Sequence, residues 1–250
     1  MLPVALLAGG LATRLRPVTE TVPKSLIEVA GRPFVERQLE WLSCEGISKV
    51  VLCLGYLGER VQKAVGMGER FGLNIAYSYD GETLLGTGGA LRRALPLLGE
   101  RFFVLYGDSF LTCNFAAVER AFRKSDKAAM MTVYKNEGRW DTSNVVFSEG
   151  RIVLYDKKQK SESMQYIDYG LGILDKQTLL RYAENESFDL ADLYTDLSKR
   201  GELAGFEVQD RFYEIGSFAG LKEAEEFFRG VDRGVRTKTS AGSDRDSRKD

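Results

Sequence analysis

The chain has 250 residues, 44% hydrophobic and 28% charged, which is enough apolar material for a sizeable core beneath a water-facing surface. Its 35 basic and 36 acidic side chains leave a net charge of −1, so no overall field draws it to nucleic acid or to an anionic membrane, and an anionic ligand must be held by a local cluster. Histidine is absent altogether, which excludes imidazole bases, nucleophiles and metal ligands and leaves carboxylates, Lys, Arg, backbone amides and hard metal ions.

The three cysteines, Cys44, Cys53 and Cys113, have no metal-ligand spacing. Cys44 and Cys53 fall in or near apolar runs and read as buried free thiols. The first residues carry no basic segment, and their apolar run stops at Gly9-Gly10, too short for a signal or a membrane span. A cytoplasmic protein without membrane or nucleic-acid partners is expected.

In chain order, residues 4–7 form an apolar strand, and Pro33 opens a helix to about residue 45 with Phe34, Leu39 and Leu42 at helical spacing. A second apolar strand spans 50–54, then a helix 59–65, a strand 74–79, a helix 89–98 and a strand 102–106. Strands without polar alternation, separated by helices, predict a Rossmann-like, mostly parallel sheet covered on both faces. Beyond Asp108 come a helix at 115–124, a strand at 128–133 and a hairpin of 144–147 with 151–155 across Ser148-Glu149-Gly150. A strand at 166–174, a helix at 190–199 capped by Asp189 and a helix at 218–229 between Ser217 and Gly230 complete the pattern. Residues 231–250 contain almost nothing apolar and are expected to be disordered.

Chemistry concentrates after the first strand, in Leu7-Ala8-Gly9-Gly10-Leu11-Ala12-Thr13-Arg14-Leu15, followed by Pro23-Lys24. A Gly-Gly pair lets backbone amides turn toward phosphate oxygens, and Arg14 and Lys24 add fixed cations. No Gly-Lys-Ser/Thr closes the loop, and the Rossmann glycine spacing is missing. Taken by itself, the stretch is also compatible with an ordinary strand–helix turn flanked by surface cations. Asp108 follows an apolar strand, where a carboxylate faces the crevice at the carboxyl edge of a parallel sheet or caps the next helix.

The stretch from Leu7 to Leu26 resembles the signature of the sugar-1-phosphate nucleotidyltransferases. The continuation Val29-Ala30-Gly31-Arg32-Pro33-Phe34, the loop Leu85-Gly86-Thr87-Gly88-Gly89-Ala90-Leu91 and the Tyr106-Gly107-Asp108 corner are also similar to that family. The likeness covers roughly residues 3–229, and the loop is similar to those of short, single-domain guanylyltransferases acting on mannose- or heptose-1-phosphate. It implies a GT-A-like α/β fold with a mixed sheet, a catalytic domain at 1–230, a nucleoside triphosphate and a sugar-1-phosphate as partners, and Mg²⁺ as cofactor. A homodimer is an expectation at the family level only.

Carried over position by position, the resemblance implies that Leu7, Gly9, Gly10, Thr13, Leu85, Gly86 and Thr87 bind the nucleotide. Arg14 and Lys24 would handle its phosphates and the attacking phosphate, and Asp108 and Glu214 would hold the metal. Asn144, Asp156, Lys157, Asp168 and Gly170 fall on the sugar-phosphate side. Two departures stand out: Ala12 where the family has glycine, and Glu214 where it has aspartate. Transfer to another phosphate acceptor such as phosphocholine, or nucleotide binding without turnover, are the alternatives.

Overall fold

The computed structural model describes residues 1–138 and 142–240, with side chains through Gly234. The chain opens with Val4–Leu7 (β1), the antiparallel pair Glu28–Val29 (β2) and Arg32–Pro33 (β3), and the helix Phe34–Cys44 (α1). Lys49–Leu54 (β4), Gly58–Val65 (α2), Asn74–Tyr79 (β5), Gly86–Ala94 (α3) and Arg101–Tyr106 (β6) continue the strand–helix alternation. Ser109–Leu111 (β7), Phe115–Ser125 (α4) and Ala129–Lys135 (β8) follow. Next come the hairpin Val145–Ser148 (β9) and Arg151–Tyr155 (β10), the long strand Tyr166–Asp175 (β11) and the short helix Gln177–Leu180 (α5). Leu190–Lys199 (α6), Leu203–Val208 (β12), Phe212–Glu214 (β13) and Phe218–Ser240 (α7) end the described chain.

Nine strands form one sheet in the order β5-β4-β1-β6-β11-β8-β12-β10-β9. Its first four strands are parallel, and β11 runs antiparallel to β6 and β8. The sheet is therefore mixed, as expected of the fold. Side chains alternate across it: Val4 and Leu6 pack with α1, α2 and α4 on one face, and Ala5 with α3 and α6 on the other. Both faces are covered, which is why the central strands carry no polar alternation. A third cluster, Val29, Phe34, Phe110, Ile215, Ala224 and Phe228, seats α7 against β2 and α1.

Four expectations are corrected. The helix expected at 89–98 starts at Gly86, because the Phe188 carbonyl takes the N–H groups of Gly88 and Gly89 (3.0 and 3.4 Å) and so satisfies donors of the first turn. The final helix runs past Gly230, which does not take the left-handed φ of a stop, and reaches Ser240. Asp232, in the stretch expected to be disordered, pairs at 2.8 Å with the buried guanidinium of Arg37 on α1. Residues 241–250 of that stretch lie outside the described residues. Finally, Cys44 is exposed, whereas Cys53 and Cys113 are buried. No helix among the described residues is long and apolar enough to cross a membrane.

Candidate active site

Two clefts meet at the carboxyl edge of the sheet. The narrower, about 250 Å³, lies across the ends of β5, β4, β1 and β6 and is lined by Leu7, Gly9, Gly10, Lys24, Asp80, Gly86, Thr87 and Asp108, among others. The wider, about 570 Å³, takes in Arg14, Asn144, Lys157, Asp168, Gly170 and Glu214. Tyr106 and Asp108 belong to both.

The glycine loop after β1 is shaped by its neighbour as much as by any ligand. A Cβ on Gly9 would stand 2.9 Å from the amide nitrogen of Gly55, so only glycine lets the loops after β1 and β4 lie together. Gly10 has open space where a Cβ would be. Ala12 adopts the left-handed conformation (φ 48°, ψ 44°) that glycine takes without penalty. Its carbonyl accepts hydrogen bonds from the Thr19 hydroxyl (2.8 Å) and the Leu15 N–H (3.1 Å), which hold the turn in that shape. Thr13 and Arg14 follow in a 3₁₀ turn and both are exposed. Thr13 lines neither cleft, and Arg14 lines the wider one rather than the narrower one expected for a triphosphate.

Lys24 and Asp108 join the two clefts. Pro23 precedes a 3₁₀ turn that presents Lys24, and its Nζ lies 2.6 Å from Asp108 Oδ2. Asp108 Oδ1 accepts from the Ser109 hydroxyl at 3.2 Å. Ser109 and Glu214 are register partners in the β7–β13 ladder, and the Asp108 carbonyl accepts the Ile215 N–H at 2.9 Å. Two carboxyl-bearing residues, at positions 108 and 214, are thereby brought together. The extra methylene of Glu214 lets its carboxylate fold back onto the start of α7, where it accepts from Gly216 N–H (2.5 Å) and the Ser217 hydroxyl (2.9 Å). No group of three or more metal-ligating side chains occurs among the described residues. A magnesium ion that keeps several waters needs only one or two carboxylates, and this donor set of hard oxygens fits it.

The Leu85–Gly89 segment meets the protein itself. A Cβ on Gly86 (φ 71°) would come within 2.6 Å of the Phe188 carbonyl. Leu85 is buried, its N–H donating to Asp80, and does not line either cleft. The Thr87 hydroxyl donates to Asp189 (2.9 Å) and accepts from the Leu190 N–H (2.8 Å), tying α3 to the cap of α6. Gly86 and Thr87 still edge the narrower cleft.

On the wider side, Asn144 Oδ1 accepts the Asp168 N–H at 3.0 Å, and Asp168 Oδ1 accepts the Gly170 N–H at 3.0 Å where β11 bulges. Burial raises the Asp168 carboxyl above its ordinary value, against the opposing pull of Lys157 and the Gly170 N–H. Lys157 Nζ stands 5.9 Å from the Tyr106 ring centroid. Asp156 does not join them: its carboxylate accepts the N–H groups of Lys158 (2.7 Å) and Gln159 (2.9 Å), which lower its pKa and mark it as the cap of a local turn.

Two cleft residues carry no sequence signal of their own. Arg211 lines the wider cleft, ion-paired with Glu223 and 5.0 Å from the Tyr213 ring centroid. Asp80 lines the narrower one while only 7% exposed. In sequence Asp80-Gly81 reads as a turn, and only its place at the end of β5 distinguishes it.

Known proteins resemble this architecture closely. The chain is 40% identical over 113 residues to the N-acetylmuramate alpha-1-phosphate uridylyltransferase of Neisseria meningitidis, covering 45% of this chain and 49% of that protein, so it spans about half the length of this relative. It is 28% identical over 211 residues to the D-glycero-alpha-D-manno-heptose 1-phosphate guanylyltransferase of Campylobacter jejuni, covering 84% and 93%. The fold matches that of HddC from Yersinia pseudotuberculosis, solved with GMP-PN, at a TM-score of 0.75 and 24% identity over 91% of this chain and 100% of that one. The sequence model described as nucleotidyl transferase matches residues 4–229, the whole of the sheet and both clefts, and the chain belongs to that family.

Proposed function

We propose that the chain transfers a nucleotidyl group from a nucleoside triphosphate to a sugar-1-phosphate and releases pyrophosphate. The observation that carries this reading is the Lys24–Asp108 pair at the junction of a narrow cleft and a wide one. A sugar-1-phosphate is largely dianionic at neutral pH, with a second pKa of about 6, and attacks the α-phosphorus without a general base. The absence of histidine agrees with that chemistry. One bond forms from the sugar phosphate oxygen to the α-phosphorus, and the bond to the α–β bridging oxygen breaks.

The protein's work is positioning and charge neutralisation. The open face of the 9–12 loop receives the triphosphate, Lys24 offsets charge between the reacting phosphates, and Lys157 draws in the sugar phosphate. Arg14, at the wider cleft, meets phosphate oxygens from that side. Asp108 and Glu214 are the residues to hold Mg²⁺, which when bound would withdraw charge from the α-phosphoryl group.

For the finer substrate we infer GTP with a manno- or heptose-1-phosphate. The Leu-Gly-Thr-Gly-Gly loop and the near full-length likeness to a heptose-1-phosphate guanylyltransferase support it. A grid of four triphosphates against mannose-, heptose-, glucose- and N-acetylmuramate-1-phosphate and phosphocholine, read by pyrophosphate release, tests the reading. Release with phosphocholine alone would replace the acceptor, and no release with any pair would leave a silent nucleotide-binding protein.

A further inference from the structure

Asp80 is the charged group in the narrower cleft that the transfer chemistry leaves unused. The cleft crosses four parallel strands in the order β5-β4-β1-β6. Asp80 follows β5 and Asp108 follows β6, so the two carboxylates stand three strand spacings apart, about 14 Å. Phosphates belong at the Asp108 end, with Lys24 and the glycine loop. The walls nearer Asp80, Cys53, Leu84 and Ala90, are apolar and suited to the faces of a flat base.

The carboxylate of Asp80 has acceptor capacity to spare. Among the described residues it accepts one hydrogen bond, from the Leu85 N–H at 3.2 Å to Oδ2. Arg93, the nearby cation, donates to the Asp80 backbone carbonyl instead. An ionised carboxylate accepts at about four sites and donates at none. Burial raises its pKa, while the Leu85 N–H and Arg93 pull it back down. A buried carboxylate held this way, beside an open apolar slot, favours a ligand that brings donors.

We propose that Asp80 selects guanine, its carboxylate accepting N1–H and the N2 amine together. Guanine alone among the common bases presents two adjacent donors on one edge. Adenine and cytosine set a ring-nitrogen acceptor beside their amine, and uracil and thymine flank N3–H with two carbonyls, each of which meets a carboxylate unfavourably. This assignment rests on the reading that the narrower cleft holds a nucleoside triphosphate.

The test is equilibrium binding of GTP, ITP, UTP, CTP and ATP, without acceptor, to the wild-type chain and to Asp80→Asn. Asparagine can still accept the Leu85 N–H, so a purely structural cap survives the change. GTP is expected to bind tightest to wild type. ITP, which lacks the N2 amine, should bind about 10- to 100-fold more weakly. Asp80→Asn should lose about 100-fold or more for GTP, with UTP and CTP changing far less. Equal GTP and ITP affinities in wild type overturn the proposal, and that measurement does not depend on the variant folding. So does a GTP-to-UTP preference that Asp80→Asn leaves unmoved. Guanine selection at Asp80 without pyrophosphate release from any acceptor would sink the transfer reading alone, and release with UTP preferred would sink only the base assignment.

Discussion

The narrow cleft and the wide cleft share Asp108 yet are built differently. The narrow one lies over four parallel strands and is lined by the segments that leave their carboxyl ends, where glycines and other small residues alternate with Lys24, Asp80 and Asp108. The wide one lies over the antiparallel half, where Asn144, Asp168 and the Arg211–Glu214 stretch arrive from three separate segments and polar and charged side chains form much of the wall. Turns that close a parallel strand onto a helix are constrained by sterics, so the narrow cleft resists change. A wall of side chains can be exchanged residue by residue, which suits the side proposed to receive the sugar phosphate.

The sharpest break in this division is at the shared junction. Lys24→Ala and Asp108→Asn should each lower kcat by roughly 10²–10³-fold, since each removes a charge contact made as the phosphoryl group transfers. A loss of under about threefold in pyrophosphate release would remove the pair from the chemistry. Glu214→Gln tests whether that carboxylate does more than cap α7. A metal-holding role predicts about tenfold lower kcat and a higher Mg²⁺ requirement, with EDTA abolishing turnover, whereas a cap alone predicts only a lower melting temperature.

Further from the junction the clefts should separate cleanly. Lys157→Ala is expected to raise KM for the sugar-1-phosphate by about tenfold and leave KM for the triphosphate unchanged. If both constants move together, the wide cleft is not a separate acceptor site. In the narrow cleft Ala12→Gly should relieve about 1–2 kcal/mol of left-handed strain while restoring about 0.4–1 kcal/mol of unfolded-chain entropy, a net gain near 1 kcal/mol. Denaturant unfolding reads it, and a loss of stability would contradict the observed φ of 48°.

The smallest effect concerns Asp80 and pH. Its folded pKa is raised by burial, so its contribution to stability is full below the unfolded value of about 3.9 and is lost as pH rises through the folded value. Asp80→Asn without nucleotide should therefore melt higher than wild type at pH 7, with the difference shrinking toward pH 4. A difference independent of pH would mean the carboxyl is not disfavoured by its surroundings.

The local parts of this molecule were legible in order. Strands at 4–7 and 74–79 and the hairpin around Ser148-Glu149-Gly150 follow from apolar runs and turn residues, and Asp189 caps α6 as its residue type suggests, accepting the Ala191 N–H at 2.9 Å. The short strands β7 and β13 escaped notice because three residues carry no periodicity, and their pairing alone sets Glu214 beside Asp108. Asp156 misled because a carboxylate next to a lysine looks the same in sequence whether it faces a ligand or caps a turn. The glycines at 86, 88 and 89 also serve the protein itself, the first two making room for the backbone and ring of Phe188 and Gly89 for the Glu186 carbonyl.

By itself, then, the sequence determined the α/β alternation and the glycine loop, which depend on near neighbours in the chain, and the exclusion of imidazole chemistry, which composition alone decides. Tertiary structure decided which carboxylates share a site, where Arg14 stands, that α7 continues past Gly230 to Ser240, and that Asp80 ends inside the narrow cleft. The place of Asp80 depends on the strand order β5-β4-β1-β6, and those of Glu214 and α7 on the β7–β13 pairing and the cluster around Phe110 and Phe228, all set by packing between segments far apart in the chain. No stretch of the chain encodes that packing alone.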